Sequence, residues 1–509
     1  MKKPIIELKL PVGYNNEDLL AHLKKIGHKN IKSVEVLKKS LDARKKDKIV
    51  WNIQLDINNP KIDFKDISEN ALEIPYKTRN SHVIIVGSGP SGIFSGLVLL
   101  KAGFKVTIIE RGSKVENRDK DIANLMEKGI FNSESNFAFG EGGAGTYSDG
   151  KLTSRNKHIS KEKKFILSTF INNGAPKEIY SLVHPHVGSD NLKIVAKNMR
   201  NQFTDAGGVI LFDTSFISFK QKGTTVNKII SSKGEHDCDY LILATGHSAF
   251  DTYRELIKRG LIFNTKNFAL GFRAEHPQLL INNAQWGRDS LPGVKAAEYR
   301  ITAKTESSSV YSFCMCPGGQ IVPAGALQNT SVVNGMSNFK RNSEFANAAV
   351  VASFNFSTDL QRVVPPEEAL ERLQRLEESY FLATGGYSVP GMKISDFIAS
   401  SLKESVNKTS YPLGVTNMDL SELLPKSVIA PLKEGLSQFN NKLKGYETGN
   451  ILGLESKTSS PIQVSRNKEG LCNGFSNLYF VGEGSGWAGG IISSGADGIR
   501  GAINIIEKE

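Results

Sequence analysis

The segment HVIIVGSGPSGIFSGLVLLKAGFKVTIIERG, residues 82–112, decides the fold of this chain. Its residues 83–86 form a continuous apolar run, which predicts a buried strand of a parallel sheet. Gly87, Gly89 and Gly92 follow with the spacing G-x-G-x-x-G. The first glycine permits a tight turn, the second lets a pyrophosphate approach the backbone, and the third lets the next helix pack on the strand. The segment therefore predicts a strand, a phosphate-binding turn and a helix.

A helix from Pro90 onward opens at this turn with Ser91 beside it, and its free N–H groups and positive dipole end suit a phosphate. The second strand, KVTIIE, ends at Glu110, 18 residues after the third glycine, where a carboxylate can accept hydrogen bonds from ribose hydroxyls. Arg111 follows directly and is included in the predicted site. A coincidental glycine-rich turn is the alternative. The agreement of strand, helix and acidic residue predicts a dinucleotide-binding domain of Rossmann type.

Two later segments extend this site. LILATGHSA, residues 241–249, ends a buried strand at Thr245 and Gly246, and NLYFVGEGSG, residues 477–486, ends another strand shortly before a helix. With the first segment they resemble the FAD domain of the glutathione-reductase-like flavoproteins. The resemblance implies FAD as cofactor and a late acidic residue, usually Asp, on the ribityl chain; this sequence has Glu at that position, one methylene longer. The candidate residues of this part are Gly482, Glu483, Gly489, Gly490 and Ile491.

Several distinctive blocks resemble the uncharacterised FAD-dependent dehydrogenases of bacteria. They lie at residues 139–152, 184–192, 313–324, 459–462 and 481–499, and the resemblance extends over nearly the whole chain. It implies an FAD-dependent oxidoreductase but names no substrate. The block FGEGGAGTYSDGKL would line the pyrophosphate and flavin side of FAD, or form a structural loop that packs under the flavin. Its candidate residues are Gly142, Gly143, Ala144, Gly145, Thr146 and Ser148.

Few catalytic side chains are needed, because a flavin itself carries the hydride or electrons. The candidates are His186, Cys314 and Cys316. The two cysteines lie two residues apart on a predicted strand, so both sulfurs would point to one face; packing, redox and nucleophilic roles remain open, although a C-x-C disulfide closes a strained ring. His186 would be a general acid or base, or only bond its own loop. Other residues considered near the flavin or the substrate are Lys151, His184, His247, Arg273, His276 and, because Gln463 replaces an expected Arg, Arg466.

Charge and composition limit the kinds of partner and the compartment that we expect. The 509 residues carry a formal net charge of +12, which makes RNA a possible though less favoured partner beside a small-molecule substrate or an electron partner. The four cysteines favour a reducing compartment, and without a signal peptide or a long apolar run we expect a cytoplasmic protein with no membrane contact. No metal-ligand spacing and no second G-x-G-x-x-G occurs, so NAD(P)H would bind only transiently as a donor.

The chain is predicted to divide into three α/β parts. Residues 1–78 form a small ferredoxin-like α+β module, whose basic connection over residues 38–48 is either a solvated hairpin tip or a docking surface for a partner. Residues 79–250 and 452–509 form the Rossmann-type FAD domain with a β-meander, and residues 251–451 form an inserted α+β substrate domain. The predicted function is an FAD-dependent dehydrogenase or reductase of a small molecule. The alternatives are a flavoenzyme acting on RNA and a flavin-binding protein that recruits a partner.

Overall fold

The computed structural model describes residues 5–57, 62–154 and 156–509. The strands, in chain order, are β1 (Ile6–Pro11), β2 (Val34–Asp42), β3 (Val50–Ile57), β4 (His82–Val86), β5 (Lys105–Ile109), β6 (Val209–Leu211), β7 (Phe216–Lys222), β8 (Thr225–Ser231), β9 (Gly234–Asp237), β10 (Tyr240–Leu243), β11 (Phe263–Thr265), β12 (Phe268–Pro277), β13 (Thr302–Lys304), β14 (Ser309–Pro323), β15 (Val333–Met336), β16 (Phe345–Phe354), β17 (Val389–Lys393), β18 (Val415–Asn417), β19 (Asn450–Glu455), β20 (Ile462–Val464) and β21 (Leu478–Phe480). The α-helices are α1 (Asn16–Lys25), α2 (Phe64–Asn70), α3 (Pro90–Lys101), α4 (Val115–Lys128), α5 (Ser160–Asn172), α6 (Ser189–Asp205), α7 (Phe250–Lys258), α8 (Gln278–Trp286), α9 (Phe356–Asp359), α10 (Pro366–Thr384), α11 (Ile394–Ala399), α12 (Lys426–Lys442) and α13 (Gly490–Lys508).

The glycine-rich segment forms the centre of a five-stranded parallel sheet with the order β21-β10-β4-β5-β6. The apolar run of β4 is buried because strands flank it on both sides and α3, which packs against α13, covers one face. An antiparallel meander, β7-β8-β9, connects β6 to β10. This arrangement confirms the prediction of a Rossmann-type domain with a β-meander, completed by a strand and a helix from the end of the chain.

A second, larger sheet lies between these two halves in sequence. Its path is β13-β14-β16-β12-β19-β17-β18, with β15 paired to β14, and it is antiparallel except for the parallel pair of β17 and β18. Helix α12 packs on β13, β14 and β16. The boundary predicted at residue 452 falls inside β19, which pairs with β12 and β17 in this sheet. The chain returns to the parallel sheet only at β21, because β19 is a central strand of the inserted part.

The first part of the chain forms a three-stranded antiparallel sheet, β1-β3-β2, with α1 packed on it, in the order βαββ, whereas α2 packs on α5. It joins the rest of the protein by backbone bonds from Lys39 N–H to Ser181 O (2.8 Å) and from Val183 N–H to Lys39 O (3.0 Å). Its basic tip contacts the chain itself, since Arg288 donates to Lys46 O over 3.1 Å. No helix in the described ranges is long and apolar enough to cross a membrane.

Candidate functional site

The first glycine turn requires residues without a side chain. Gly87 has φ +104°, and a Cβ there would lie 2.4 Å from Ala244 O on the neighbouring strand. A Cβ on Gly92 would lie 1.9 Å from Gly87 O. Both glycines therefore let β4, β10 and α3 approach closely, and they bring the N-terminus of α3 to the carboxyl end of the sheet, where α/β proteins bind nucleotides.

Two helices begin at this edge with free N–H groups. Gly89 is the N-cap of α3 and Gly489 is the N-cap of α13, and neither cap has a side chain that bonds the first turn. Residues at both starts line one cavity. Uncapped N–H groups and the positive ends of two helix dipoles favour a bound anion such as a pyrophosphate.

The second glycine-rich loop closes over the first. A Cβ on Gly143 would lie 3.1 Å from Gly89 Cα, so only glycine backbone fits where the two loops meet. Arg118 of α4, with no exposed surface, holds this loop. Its guanidinium donates to four backbone oxygens at 2.7–3.1 Å, those of residues 136, 137, 141 and 143. Sequence reasoning missed Arg118, because nothing local distinguishes it from the other charged residues of α4.

Glu110 lies at the end of β5, as predicted, and its carboxylate is already fully engaged by the protein. One oxygen accepts from Ser88 N–H (2.8 Å) and Ser88 Oγ (2.7 Å), and the other accepts from Gly112 N–H (2.9 Å) and Gly140 N–H (3.0 Å). A carboxylate accepts about four hydrogen bonds. A ribose hydroxyl would therefore share or replace the bond from the Ser88 hydroxyl, while Glu110 also ties together both glycine-rich loops.

These elements enclose a cavity of about 1410 Å³ that reaches from the edge of the parallel sheet to β14 of the large sheet. Sites for single small ligands usually measure about 300–1,000 Å³, so this one has room for a dinucleotide and a second molecule. The predicted residues that line it are Gly87, Gly89, Pro90, Ser91, Glu110, Arg111, Gly143, Ala144, Gly145, Ser148, Thr245, Gly246, Glu483, Gly489, Gly490, Ile491 and Cys314. The predicted residues outside its lining are Gly92, Gly142, Thr146, Gly482, His186 and Cys316.

Side chains from the last part of the chain hold the turn at Gly482 and Glu483. Glu483 Oε2 lies 3.6 Å from His247 Nδ1, and both residues line the cavity. Arg466, considered for an acidic substrate, is instead bound to both oxygens of Asp497 (2.9 and 3.0 Å), which in turn accepts from Gly482 N–H over 2.7 Å. The role of Arg466 here is to hold this turn, because its guanidinium is buried behind the cavity wall.

A cluster of ion pairs lies between the second glycine-rich loop and the large sheet. Asp149 bonds Arg341 through two nitrogens (2.9 and 2.6 Å) and Lys151 Nζ (2.7 Å). Burial opposes ionisation of Asp149, but the charges of Lys151 and Arg341 outweigh it and hold the pKa of the carboxyl well below its usual value. Lys151 also donates to Met315 O, and Lys151 and Arg341 both line the cavity. The cluster therefore joins the two parts of the cavity wall, and Lys151 is not a free solvated side chain.

His184 and His247 line the cavity, whereas His186, His276 and Arg273 lie outside its lining. His186 is buried, its Nε2 lies 3.1 Å from Phe339 O, and burial together with Arg341 lowers its pKa to about 3. His184 does line the cavity, 3.7 Å from Glu298. Arg273 and His276 have no exposed surface and lie outside the cavity lining. Their positions on β12, the middle of a covered sheet, explain why neither faces the cavity.

Two residues at the rim of the cavity were also missed. Arg300, two residues before the short strand β13, and Lys304, its last residue, are exposed and line the cavity together with Thr302. The alternation of polar and apolar residues in RITAK, residues 300–304, with a basic residue at each end, is the signal that would have found them. Among the described residues, no group of three or more His, Cys, Asp or Glu could hold a metal ion.

In a comparison with known protein families, three segments of the chain match a family model. Residues 82–151 match the pyridine nucleotide-disulphide oxidoreductases, residues 267–458 match the FAD-dependent protein C-terminal domain, and residues 1–58 match a domain of unknown function. An uncharacterised protein of Clostridium beijerinckii is 37% identical over 500 residues, which are 94% of this chain and 93% of that protein.

The matches among solved structures are more distant in sequence. CtdE in complex with FAD has 11% identity and a TM-score of 0.35, over 84% of this chain and 89% of that one. Glycine oxidase from Bacillus cereus has 12% identity and a TM-score of 0.31, over 84% and 96% of the two chains. A flavoprotein/dehydrogenase from Cytophaga hutchinsonii has 12% identity and a TM-score of 0.37, over 85% and 80%.

The cavity fits FAD on structural grounds of its own. Two uncapped helix N-termini and two facing glycine loops suit a pyrophosphate. The match to the FAD-dependent C-terminal domain covers the large sheet that forms the opposite wall. Together with the C. beijerinckii relative, these findings show that the chain belongs to a family of uncharacterised bacterial FAD-dependent oxidoreductases.

Proposed function

We propose that this protein is an FAD-dependent dehydrogenase or reductase that transfers hydride or electrons between its flavin and a small molecule. The observation that carries the proposal is the single cavity that continues from the two glycine-rich loops to β14 and exceeds the space that one ligand needs. Bound FAD would supply the redox chemistry. The residues of the chain would bind FAD, orient the substrate against it and exclude water from the cavity. We place the protein in the cytoplasm because its four cysteines are free thiols.

The two sides of the cavity have different roles in this proposal. The start of α3 with Gly89 and Gly143 would hold the pyrophosphate, and the start of α13 would favour negative charge on the reduced ring. The opposite wall, formed by β13 and β14, would hold the substrate. It presents Tyr311 and Phe313, the latter 43% exposed, so it offers apolar surface beside the polar rim.

The charges of the wall favour an anionic substrate or donor. Lys151 and Arg341 share Asp149, Arg341 also lies 3.5 Å from Glu298, and Lys457 is bound to Glu377 over 2.7 Å. The remaining cavity cations include Arg300 and Lys304 of the rim, and neither forms an ion pair with any residue that the structure describes. Exposed cations without carboxylate partners attract anions. A small carboxylate or the phosphates of NAD(P)H would satisfy them.

The test is an anaerobic visible spectrum of the purified, FAD-loaded protein before and after adding NADH, NADPH and a panel of small carboxylates with their neutral amides. We expect bleaching of the flavin by at least one anionic donor and none by the matched amide. Bleaching by NADH or NADPH would identify a nicotinamide-linked reductase. Bleaching by a carboxylate alone would identify a dehydrogenase of that compound. The proposal would be contradicted if the purified protein did not bind FAD, or if none of the donors bleached the flavin.

A further inference from the structure

The small sheet of the first part of the chain is closed by the protein on one edge only. On the outer side of β2, Lys39 N–H donates to Ser181 O over 2.8 Å, and Val183 N–H donates to Lys39 O over 3.0 Å. The opposite edge is β1, and among the described residues β1 pairs with β3 alone. A complete ferredoxin-like module, βαββαβ, has a fourth strand. Here β3 is followed by α2, which packs on α5 instead, so the described part of the chain leaves the edge of β1 open.

The two faces of β1 differ sharply, and this limits what can pair with its edge. Leu8 and Leu10 are buried with Ile6 in the core between the sheet and α1, whereas Glu7 and Lys9 are exposed on the other face. An open edge presents unpaired N–H and C=O groups that another strand can bind. Because side chains of a strand alternate between faces, the added strand must match apolar with apolar residues and polar with polar ones.

A second copy of β1, antiparallel to the first, meets this requirement in one register. With a two-fold axis at Leu8, Leu8 lies opposite its own copy, Ile6 lies opposite Leu10, and Glu7 lies opposite Lys9 on both sides of the axis. Opposite charges directly across two strands stabilise the pair, and like charges destabilise it. An axis at Glu7 or at Lys9 would place like charges opposite each other. An axis between two residues would place apolar side chains on the polar face. Charge and burial together therefore favour the register centred on Leu8.

We propose that the protein forms a homodimer in which the β1 strands of two copies pair antiparallel about Leu8. The two three-stranded sheets then become one continuous sheet of six strands. Main-chain hydrogen bonds along the edge supply affinity, and the two Glu7–Lys9 pairs supply specificity. An edge of six residues buries little surface, so the dimer is weak and depends on protein concentration. The proposal gives a role to residues 1–58, which match a domain of unknown function, and it does not depend on the flavin chemistry.

The test is sedimentation velocity of the whole FAD-loaded chain from about 1 to 200 μM, a range in which a weak dimer dissociates. We expect wild type to change from monomer to dimer over this range. Lys9→Glu turns both opposite-charge pairs into like-charge pairs and should raise the dissociation constant at least about tenfold. Glu7→Lys should do the same. The double variant Glu7→Lys with Lys9→Glu restores opposite charges across the strands and should restore the dimer. Lys29→Glu, an exposed charge reversal after α1, is the matched control and should leave the dissociation constant unchanged.

The register is tested by disulfide formation in a mixture of Glu7→Cys and Lys9→Cys chains, with the linked peptides identified by mass spectrometry. Links that join position 7 to position 9 should dominate, because these positions lie directly opposite each other, whereas 7-to-7 and 9-to-9 links span a diagonal of about 7–8 Å.

The possible results separate the dimer from its register. A wild type that stays monomeric over the whole range, or a Lys9→Glu protein that dimerises as tightly as wild type, would overturn the proposal. A double variant that stays monomeric would overturn the pairing of Glu7 with Lys9, while its return to the dimer excludes simple loss of folding in the single variants. A majority of 7-to-7 or 9-to-9 links would overturn the register.

Discussion

Replacement of Arg118 by Met tests whether the buried guanidinium shapes the FAD site. Arg118→Met removes four charge-assisted hydrogen bonds of 2.7–3.1 Å and leaves four loop carbonyls without their donor. Bonds to a charged group contribute about 1.5–3 kcal/mol each, but loss of the buried charge also removes a desolvation cost. Each buried acceptor left unsatisfied costs about 1–3 kcal/mol, so the net loss of stability is expected to be several kcal/mol. If about 2 kcal/mol of this appears as disorder of residues 136–143, FAD affinity falls roughly 30-fold.

The assay is a fluorescence titration with FAD, paired with urea unfolding of the same samples. Arg79→Met is the matched control, because Arg79 is also buried and donates to the backbone oxygens of Lys77 and Ala102, away from the cavity. It should lower the free energy of unfolding and leave FAD affinity unchanged. An Arg118→Met protein that binds FAD as tightly as wild type would refute the reasoning, whatever its stability.

Three other perturbations have defined outcomes. Gly92→Ala places a Cβ 1.9 Å from Gly87 O and should weaken FAD binding by at least about 100-fold in the same titration. Arg300→Ala with Lys304→Ala should raise KM for an anionic donor about tenfold, with a smaller dependence on salt. Burial raises the pKa of Glu275 from 4.5 to about 7, so its stabilising contribution is full below pH 4.5 and is lost as pH rises to about 7. Over that window the free energy of unfolding of wild type, measured in urea, should fall by about 3 kcal/mol relative to Glu275→Gln.

Each of these perturbations has a matched comparison. Gly260→Ala changes a glycine outside the cavity lining, with φ +90° and no atom near its added Cβ, so only modest backbone strain and a much smaller loss of FAD affinity are expected. Lys468→Ala removes a 93%-exposed cation outside the cavity and should leave KM unchanged. Equal effects in the glycine pair or in the lysine comparison would contradict the steric or electrostatic argument. A constant difference between wild type and Glu275→Gln from pH 4.5 to 7 would contradict the burial argument.

The sequence predicted best what is determined locally. The turn at Gly87, the start of α3 and the end of β5 follow one another within 31 residues, so spacing alone indicates their geometry. The partners of Asp149 escape such reasoning, because Arg341 lies 192 residues away and reaches it only after the large sheet has formed. Arg118 escapes it although its acceptors lie only 18–25 residues later, because its helix gives no sign that this loop will bury it.

Strand patterns failed where the backbone leaves its regular form. Alternation placed both cysteines of β14 on one face, but the bulge with its positive φ at Cys314 separates an accessible thiol from a buried one. Likewise NILGLE, residues 450–455, indicates a buried strand without indicating which sheet it joins.

The position of β21 has a consequence for synthesis of the chain. Strand β10 acquires its outer neighbour only from residues 478–480, roughly 230 residues after β10 itself has been made. At about 5–20 residues per second, a ribosome needs roughly 10 to 50 seconds to reach them. During that interval the apolar edge of β10 is open to wrong partners. The nascent protein is therefore expected to need chaperone protection until β21 has emerged, and to capture FAD only once α13 has followed it.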